Sequence, residues 1–202
     1  MLTKPHSYFE LSLSNKYIRD FLLKKFNKYL DVYNSNILEI GIGHGRFGFL
    51  LGEYFEHYYG IDVEQNLIDV SKKNIPENAN VTYCVGRAEK IPFKFSFDII
   101  FYTYSWHLVK DFENALSETK RVLNPNGIVA ILEPSEHTTS WNSASLRRDS
   151  HEFQQKVYDK KMHAIKRAKK EILEQKIFEI IENEYEHRTT FNFYVLKNKD
   201  NI

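Results

Sequence analysis

From residue 37 onward the chain alternates short apolar runs with longer amphipathic stretches. Residues 37–40, 58–61, 81–85, 98–102 and 128–132 read as strands, and helical spacing fills the intervals. Alternation of this kind predicts an α/β fold whose parallel strands are joined by right-handed crossovers. Ahead of the first strand, Tyr17, Ile18, Phe21, Leu22, Phe26, Tyr29 and Leu30 recur at helical spacing, so the segment 1–35 carries an amphipathic helix that packs on the sheet. After Pro134 the texture changes. A polar stretch, 138–145, precedes Leu146, Phe153, Val157, Ile165, Ala168 and Ile172, which mark one or two amphipathic helices ending near Gln175. The segment 136–175 is therefore expected to be a helical insertion or lid after strand five. Residues 177–185 and 190–196 are β-rich and separated by a charged turn, the pattern of an antiparallel hairpin closing the sheet. Residues 198–202 read as a frayed tail.

A parallel sheet places its ligands beyond the carboxyl ends of the strands. Gly41, Asp62, Ala88 and Tyr102 are predicted to lie there. Length agrees with one domain, 1–202, since 202 residues suffice for a single well-packed core and fall short of two ordinary ones. The formal net charge of +1 gives no global field for nucleic acid or membrane. A single cysteine, Cys84, leaves no internal disulfide and no multi-cysteine zinc site, and no metal is expected. No apolar run approaches the roughly 20 residues of a membrane helix, and the N-terminus lacks a signal-peptide core. A reducing, cytoplasmic location is the expectation.

The candidate chemistry begins at 37–49, Ile-Leu-Glu-Ile-Gly-Ile-Gly-His-Gly-Arg-Phe-Gly-Phe. Five of the eight glycines, Gly41, Gly43, Gly45, Gly48 and Gly52, fall in or just after it, where a strand turns sharply into a helix. Gly43-His44-Gly45-Arg46-Phe47-Gly48 also fits the dinucleotide pattern G-x-G-x-x-G, a weak signal alone. The form Glu39-x-Gly41-x-Gly43-x-Gly45 is more telling, because a carboxylate at the strand end suits a ligand with a cationic amine and repels a pyrophosphate.

This segment resembles motif I of the class I S-adenosylmethionine-dependent methyltransferases, and the resemblance continues in order along the chain. Tyr59-Gly60-Ile61-Asp62 is similar to the end of the family's second strand, whose acidic residue accepts hydrogen bonds from the ribose hydroxyls. Val85-Gly86-Arg87-Ala88-Glu89-Lys90-Ile91-Pro92-Phe93 resembles the segment that lies against the adenine, with Arg87 where the family usually has Asp. Phe97-Asp98-Ile99-Ile100-Phe101 resembles the fourth-strand motif. The stretch from Leu116 to Gly127 resembles the helix and turn leading to strand five, and the subgroup is methyltransferase 11-like. The resemblance implies a Rossmann-like sheet of seven strands, mostly parallel with an antiparallel strand in the C-terminal hairpin, and helices on both faces. It implies S-adenosylmethionine as cofactor, bound by Glu39, Gly41, Gly43, Gly45, Asp62, Arg87, Ala88 and Tyr102.

Tyr102-Thr103-Tyr104-Ser105-Trp106-His107 follows the fourth strand, where family members meet both cofactor and acceptor. His107 is a candidate general base and equally a packed histidine; Tyr104 can wall an acceptor pocket or simply pack; His137, after strand five, is an acceptor-side candidate. The expected activity is methyl transfer to an O, N or S atom of a small molecule. Two other readings stay open: an RNA or protein methyltransferase using the basic helix 147–170, and a non-catalytic cofactor-binding module. An NAD-binding protein through Gly43, Gly45 and Gly48 is a further one. The basic run is diluted by Asp149, Glu152, Asp159 and Glu171, as on a solvated helix face.

Overall fold

A computed structural model describes residues 13–135, 151–186 and 191–199. Helix α1 (Leu13–Asn27) precedes the central strand β1 (Asn36–Ile40), which runs into the short helix α2 (Arg46–Leu51). Strand β2 (His57–Asp62), helix α3 (Gln65–Lys72), strand β3 (Val81–Val85) and strand β4 (Phe97–Thr103) follow. Helix α4 (Phe112–Val122) leads directly into β5 (Leu123–Pro134); then come α5 (His151–Glu174), β6 (Phe178–Glu186) and β7 (Phe191–Asn198). The seven strands lie in the order β3-β2-β1-β4-β5-β7-β6. Strands β1 to β5 are parallel, and β7 runs antiparallel to both β5 and β6. The predicted α/β class, all five predicted central strands and the closing hairpin are present.

The strands of the middle of the sheet are buried on both faces, as crossover helices require. Ile99 and Phe101 of β4 and Ile128, Ala130 and Leu132 of β5 pack on one side with Ile18, Leu22 and Phe26 of α1. Ile100 and Tyr102, with Val129 and Ile131, pack on the other side against Ala115 and Leu116 of α4 and Ala168 and Ile172 of α5. Strand β5 begins at Leu123, earlier than the apolar run at 128 announces. Asp98 explains this extension: its carboxylate accepts from Asn124 Nδ2 at 2.6 Å and from the Asn36 backbone amide at 2.8 Å. That side chain joins the starts of β1, β4 and β5, beside a register shift between Phe97 and Ile99.

Strand β6 is a sheet edge, and acidic side chains line it. Glu182 and Glu184 receive Lys25 of α1, while Tyr29 donates to Glu182 at 2.5 Å and Lys28 at 3.0 Å. This cluster fastens the N-terminal helix to the last hairpin. Among the described residues no helix is long and apolar enough to cross a membrane.

Glu39 stands in the middle of β1 with no exposed surface. Tyr58 Oη donates to its Oε2 at 2.9 Å and Thr103 Oγ1 to its Oε1 at 2.6 Å. Burial nevertheless outweighs those two bonds and raises the carboxyl to about 7. For Glu182 the balance is reversed: burial would push it up, but Lys25, Tyr29 and Lys28 hold it down at about 2.

The two carboxyls predict opposite pH windows. A raised folded pKa gives Glu39 a stabilising contribution that is full below about 4.5 and disappears as pH rises through about 7, on the order of 3 kcal/mol in all. Glu39→Gln is expected to flatten the melting temperature between pH 5 and pH 8; a wild-type minus variant difference that is constant across that range would contradict it. The depressed Glu182 contributes above about 4.5 and loses that contribution as pH falls toward about 2. Glu182→Gln is expected to lower stability at pH 7 and to matter less in acid titration below pH 3.

Candidate functional site

The site is built where β1, β2 and β4 end together. Gly41, Gly43 and Gly45 have φ of 83°, 53° and 81°, a left-handed conformation that L side chains rarely adopt. Gly41 also leaves no room, because a Cβ there would lie 2.4 Å from Ser105 Cβ. Ser105 Oγ in turn donates to the Ile40 carbonyl at 2.5 Å, so the loop after β4 is locked to the end of β1. Gly43 is the opposite case: a Cβ there would meet nothing within 4 Å. The space where its side chain would stand is therefore open, and a ligand can approach the Gly43 Cα closely there.

Asp62, at the end of β2, accepts from the Gly43 amide at 2.9 Å through Oδ2 and from the Glu64 amide at 3.1 Å through Oδ1. It therefore fixes the glycine turn and starts α3 at once. A carboxylate offers about four lone-pair sites, so two backbone donors leave it able to accept further bonds. A cavity of about 210 Å³ opens beside it, lined by Gly41, Asp62, Val63, Arg87, Ala88 and Ser105 among others. This cavity shares Val63, Gly86, Arg87 and Glu89 with a wider surface cavity of about 900 Å³ over the loop after β3. Together the two lie in the size range of small-ligand sites. Residues Gly41, Asp62, Arg87 and Ala88 thus meet at one cleft, with Gly43 above it and the Glu39 side chain sealed beneath in the sheet.

Arg87 is exposed, with its Nε 3.5 Å from Glu89 Oε2, so the arginine at the usual aspartate position extends over the rim of the cleft. Glu89 also accepts from the Lys110 amide at 3.2 Å, joining the loop after β3 to the loop after β4.

The structure corrects the placement of Tyr102. Its side chain is fully buried against α4, edge-on to Trp106 at 4.8 Å, with its hydroxyl 2.7 Å from Thr119 Oγ1. Thr119 donates its own proton to the Ala115 carbonyl, so Tyr102 is the donor of that bond. It is a core residue and does not line the cleft; the side chain alternates to the helix face one position before the strand ends.

Tyr104, the next but one, has a φ of 50°, rare for a bulky residue and the means by which the chain leaves β4 abruptly. Its ring lies 6.3 Å from Phe47, and burial pushes its phenol up to about 12, leaving it a neutral hydroxyl. His107 sits in the short turn Trp106–Leu108, buried, with Nδ1 2.6 Å from Glu133 Oε2. Glu133 Oε1 accepts the Trp106 amide at 2.8 Å, which fixes the carboxylate relative to the imidazole. Since a carboxylate only accepts, the bond to Glu133 places a proton on Nδ1. The side chain of His107 does not line the cavity, although Ser105 and Leu108 on either side do. His137 lies outside the described residues.

Ser105, Glu89, Glu133 and Arg46 were not singled out by the sequence. Glu133 follows the apolar run 128–132 near the end of β5, and an acidic residue at that point is expensive without a partner; this was the available signal. Ser105 and Glu89 carried none.

The family model for a methyltransferase domain matches residues 38–131. Over 80 residues the chain is 38% identical to a demethylmenaquinone methyltransferase of Staphylococcus aureus, a stretch that is 39% of this chain and 33% of that enzyme. The match therefore spans about a third of the length of these curated relatives. A SAM dependent methyltransferase from Aquifex aeolicus superposes with a TM-score of 0.62 at 17% identity, covering 86% of this chain and 88% of that one. The N-methyltransferase NodS from Bradyrhizobium japonicum, solved with S-adenosyl-L-homocysteine, gives 0.61 at 14% identity over 95% and 90% of the two chains. At those identities the two structures establish the fold. The strand order, with β7 inserted between β5 and β6, also departs from the 3-2-1-4-5-6 order of NAD-binding folds. Residues 38–131 thus match a methyltransferase domain, and the sheet has the fold of S-adenosylmethionine-dependent methyltransferases.

Proposed function

We propose that the chain transfers a methyl group from S-adenosylmethionine to an O, N or S atom of a small molecule. The carrying observation is the cleft itself: open space over Gly43, the Asp62 carboxylate with acceptor capacity to spare, and Ala88 beside it. Those groups fit a nucleoside. Asp62 would accept from the ribose hydroxyls while keeping its two backbone bonds, Ala88 would offer its amide to the base, and Arg87 would cover the rim. When bound, the cofactor supplies an electrophilic methyl group on a sulfonium centre.

Alignment of the reacting atoms can account for about 7–11 kcal/mol of the barrier, and a general base typically adds 10²–10⁴-fold. On this reading His107, held by Glu133 through Nδ1, is the candidate for the residue that takes the proton released by the acceptor. Tyr104, neutral at physiological pH, would wall the acceptor pocket and donate a hydrogen bond.

The small-molecule reading is favoured over an RNA or protein substrate by what the basic helix does. Arg167 of α5 donates to the Val109 carbonyl at 3.0 Å and stacks over Phe112 at 5.1 Å, so it packs the helix against the loop after β4. Lys170 faces Glu174 at 3.8 Å across one turn. The partial relative is named for demethylmenaquinone, which is neither RNA nor protein.

S-adenosylhomocysteine is expected to raise the melting temperature by mass action, whereas NAD at the same concentration is expected to leave it unchanged. The reverse result would contradict the cofactor assignment. Asp62→Ala is expected to weaken S-adenosylhomocysteine binding by about 1–3 kcal/mol in calorimetry, because the ribose hydroxyls lose their acceptor; equal affinity would reduce Asp62 to its role in the turn. His107→Ala is expected to lower turnover across a panel of small O, N and S acceptors by about 10²–10⁴-fold with cofactor affinity nearly intact. Unchanged turnover would leave His107 and Glu133 as a packing pair.

A further inference from the structure

The cavity of about 900 Å³ over the loop after β3 has no part in the methyl-transfer reading. It shares Val63, Gly86, Arg87 and Glu89 with the narrower cavity, but neither Gly41, Asp62 and Ala88 nor Tyr104, His107 and Glu133 line it. The rest of its lining comes from residues 85–94 and from Glu118 and Arg121 of α4.

This wall is fixed in place. Arg121 donates through Nη2 to the Ile91 carbonyl at 3.0 Å and through Nη1 to the Phe93 carbonyl at 2.9 Å, while Glu118 accepts the Ile91 amide at 2.8 Å. Arg87 and Lys90 form a small antiparallel bridge, and Pro92 folds back so closely that a Cβ on Gly86 would lie 2.8 Å from its Cδ. The Phe93 ring is braced by Tyr59, Phe95 and Phe97, with centroids at 5.5, 5.2 and 5.3 Å. The cavity is thus formed before any ligand enters, as small-molecule sites usually are.

Its surface combines apolar walls with unmatched positive charge. Val63 and Val85 are 56% and 44% exposed; a single exposed valine is ordinary, but these two share one concavity with Pro92 and Phe93. Four cationic side chains, Arg87, Lys90, Lys94 and Arg121, line it against two carboxylates, Glu89 and Glu118, an excess of two. Arg121 is paired with Glu118 at 2.7 Å and Arg87 faces Glu89 at 3.5 Å. Arg121 above all, and Lys90 more weakly, hold Glu118 below the usual carboxylate range, so that charge is already met. The excess therefore sits on Lys90 and Lys94, both exposed and, among the described residues, without a carboxylate at ion-pair distance. Charge of one sign on a concave, low-dielectric surface concentrates counter-ions there.

We propose that this cavity is a second small-molecule site, separate from those of the cofactor and the methyl acceptor, and that it takes an amphipathic anion. A compact apolar body would lie against Val85, Pro92 and Phe93, with one anionic group facing Lys90 and Lys94. Lysine suits that task as a flexible point charge that needs no planar partner. A cationic ligand would meet net repulsion in the same place.

The test titrates 2-naphthoate and uncharged 2-naphthamide by calorimetry into protein saturated with S-adenosylhomocysteine and into protein without it. The proteins are wild type, the double variants Lys90→Gln with Lys94→Gln and Lys90→Arg with Lys94→Arg, and Val85→Asn. Equal melting temperatures verify folding, and the lysine variants, at exposed positions, decide the outcome should Val85→Asn not fold. With S-adenosylhomocysteine present, wild type is expected to bind naphthoate about 10-fold more tightly than naphthamide at low ionic strength. The glutamine variant loses that preference, the arginine variant keeps it, and Val85→Asn weakens both probes. Naphthoate that S-adenosylhomocysteine displaces is occupying the cofactor cleft, which overturns a separate site. No naphthoate binding by wild type, equal binding of the two probes, or a preference that survives in the glutamine variant overturns it as well. Should S-adenosylhomocysteine itself fail to bind, the cofactor reading falls alone, and the titrations without it still decide the anion site.

Discussion

Three strand ends are tied at one point, and the site depends on that tie. The Asp62 carboxylate of β2 holds the Gly43 amide, and the Ser105 hydroxyl after β4 holds the Ile40 carbonyl of β1. The second bond is possible because Gly41 brings its backbone so near Ser105 that even a methyl group could not be inserted. A wider turn would separate β1 from the loop after β4, and the Ile40 carbonyl would lose the donor that satisfies it. The cleft is thus shaped by backbone atoms before any ligand enters, the kind of preorganisation that lowers the cost of binding.

The central sheet was legible because each strand announces itself as a short apolar run and each crossover as an amphipathic stretch. Orientation within a strand was not. In β4 both faces are buried, so Phe101 and Tyr102 look alike in sequence while one packs on α1 and the other on α4. Assigning Tyr102 to the cleft followed from its place near the strand end; its hydroxyl is instead satisfied by Thr119, a partner on another element that no local pattern reveals. The early start of β5 has a similar origin in Asp98, which collects Asn36 and Asn124 from two distant positions. Gly41, Asp62 and Ala88, placed beyond the strand ends by the fold alone, do line one cleft. Glu133, Ser105 and Arg46 escaped notice because their meaning lies in contacts across the sheet.

Two carboxylates are buried at the carboxyl edge of the sheet, and each is met differently. Glu133 faces an imidazole and the Trp106 amide of the same short turn, which lets it hold the ring in one orientation. Glu39 has only hydroxyl donors, Tyr58 and Thr103, and these do not offset desolvation. Its carboxyl is therefore close to half-protonated near neutrality, tolerable in the interior because the neutral form carries no Born cost. Arg46 on the same face shifts that balance only partly.

These observations explain why the family can be read from this chain while the acceptor cannot. The cleft is made from glycine conformation, backbone atoms and one carboxylate that also holds the turn. Tyr104, His107 and Glu133 take their arrangement from helix and loop packing and not from the turn. Side chains there can change without disturbing the ties among β1, β2 and β4. The resemblance along 38–131 covers Gly41, Asp62, Arg87 and Ala88, which meet at the cleft, and ends before Glu133.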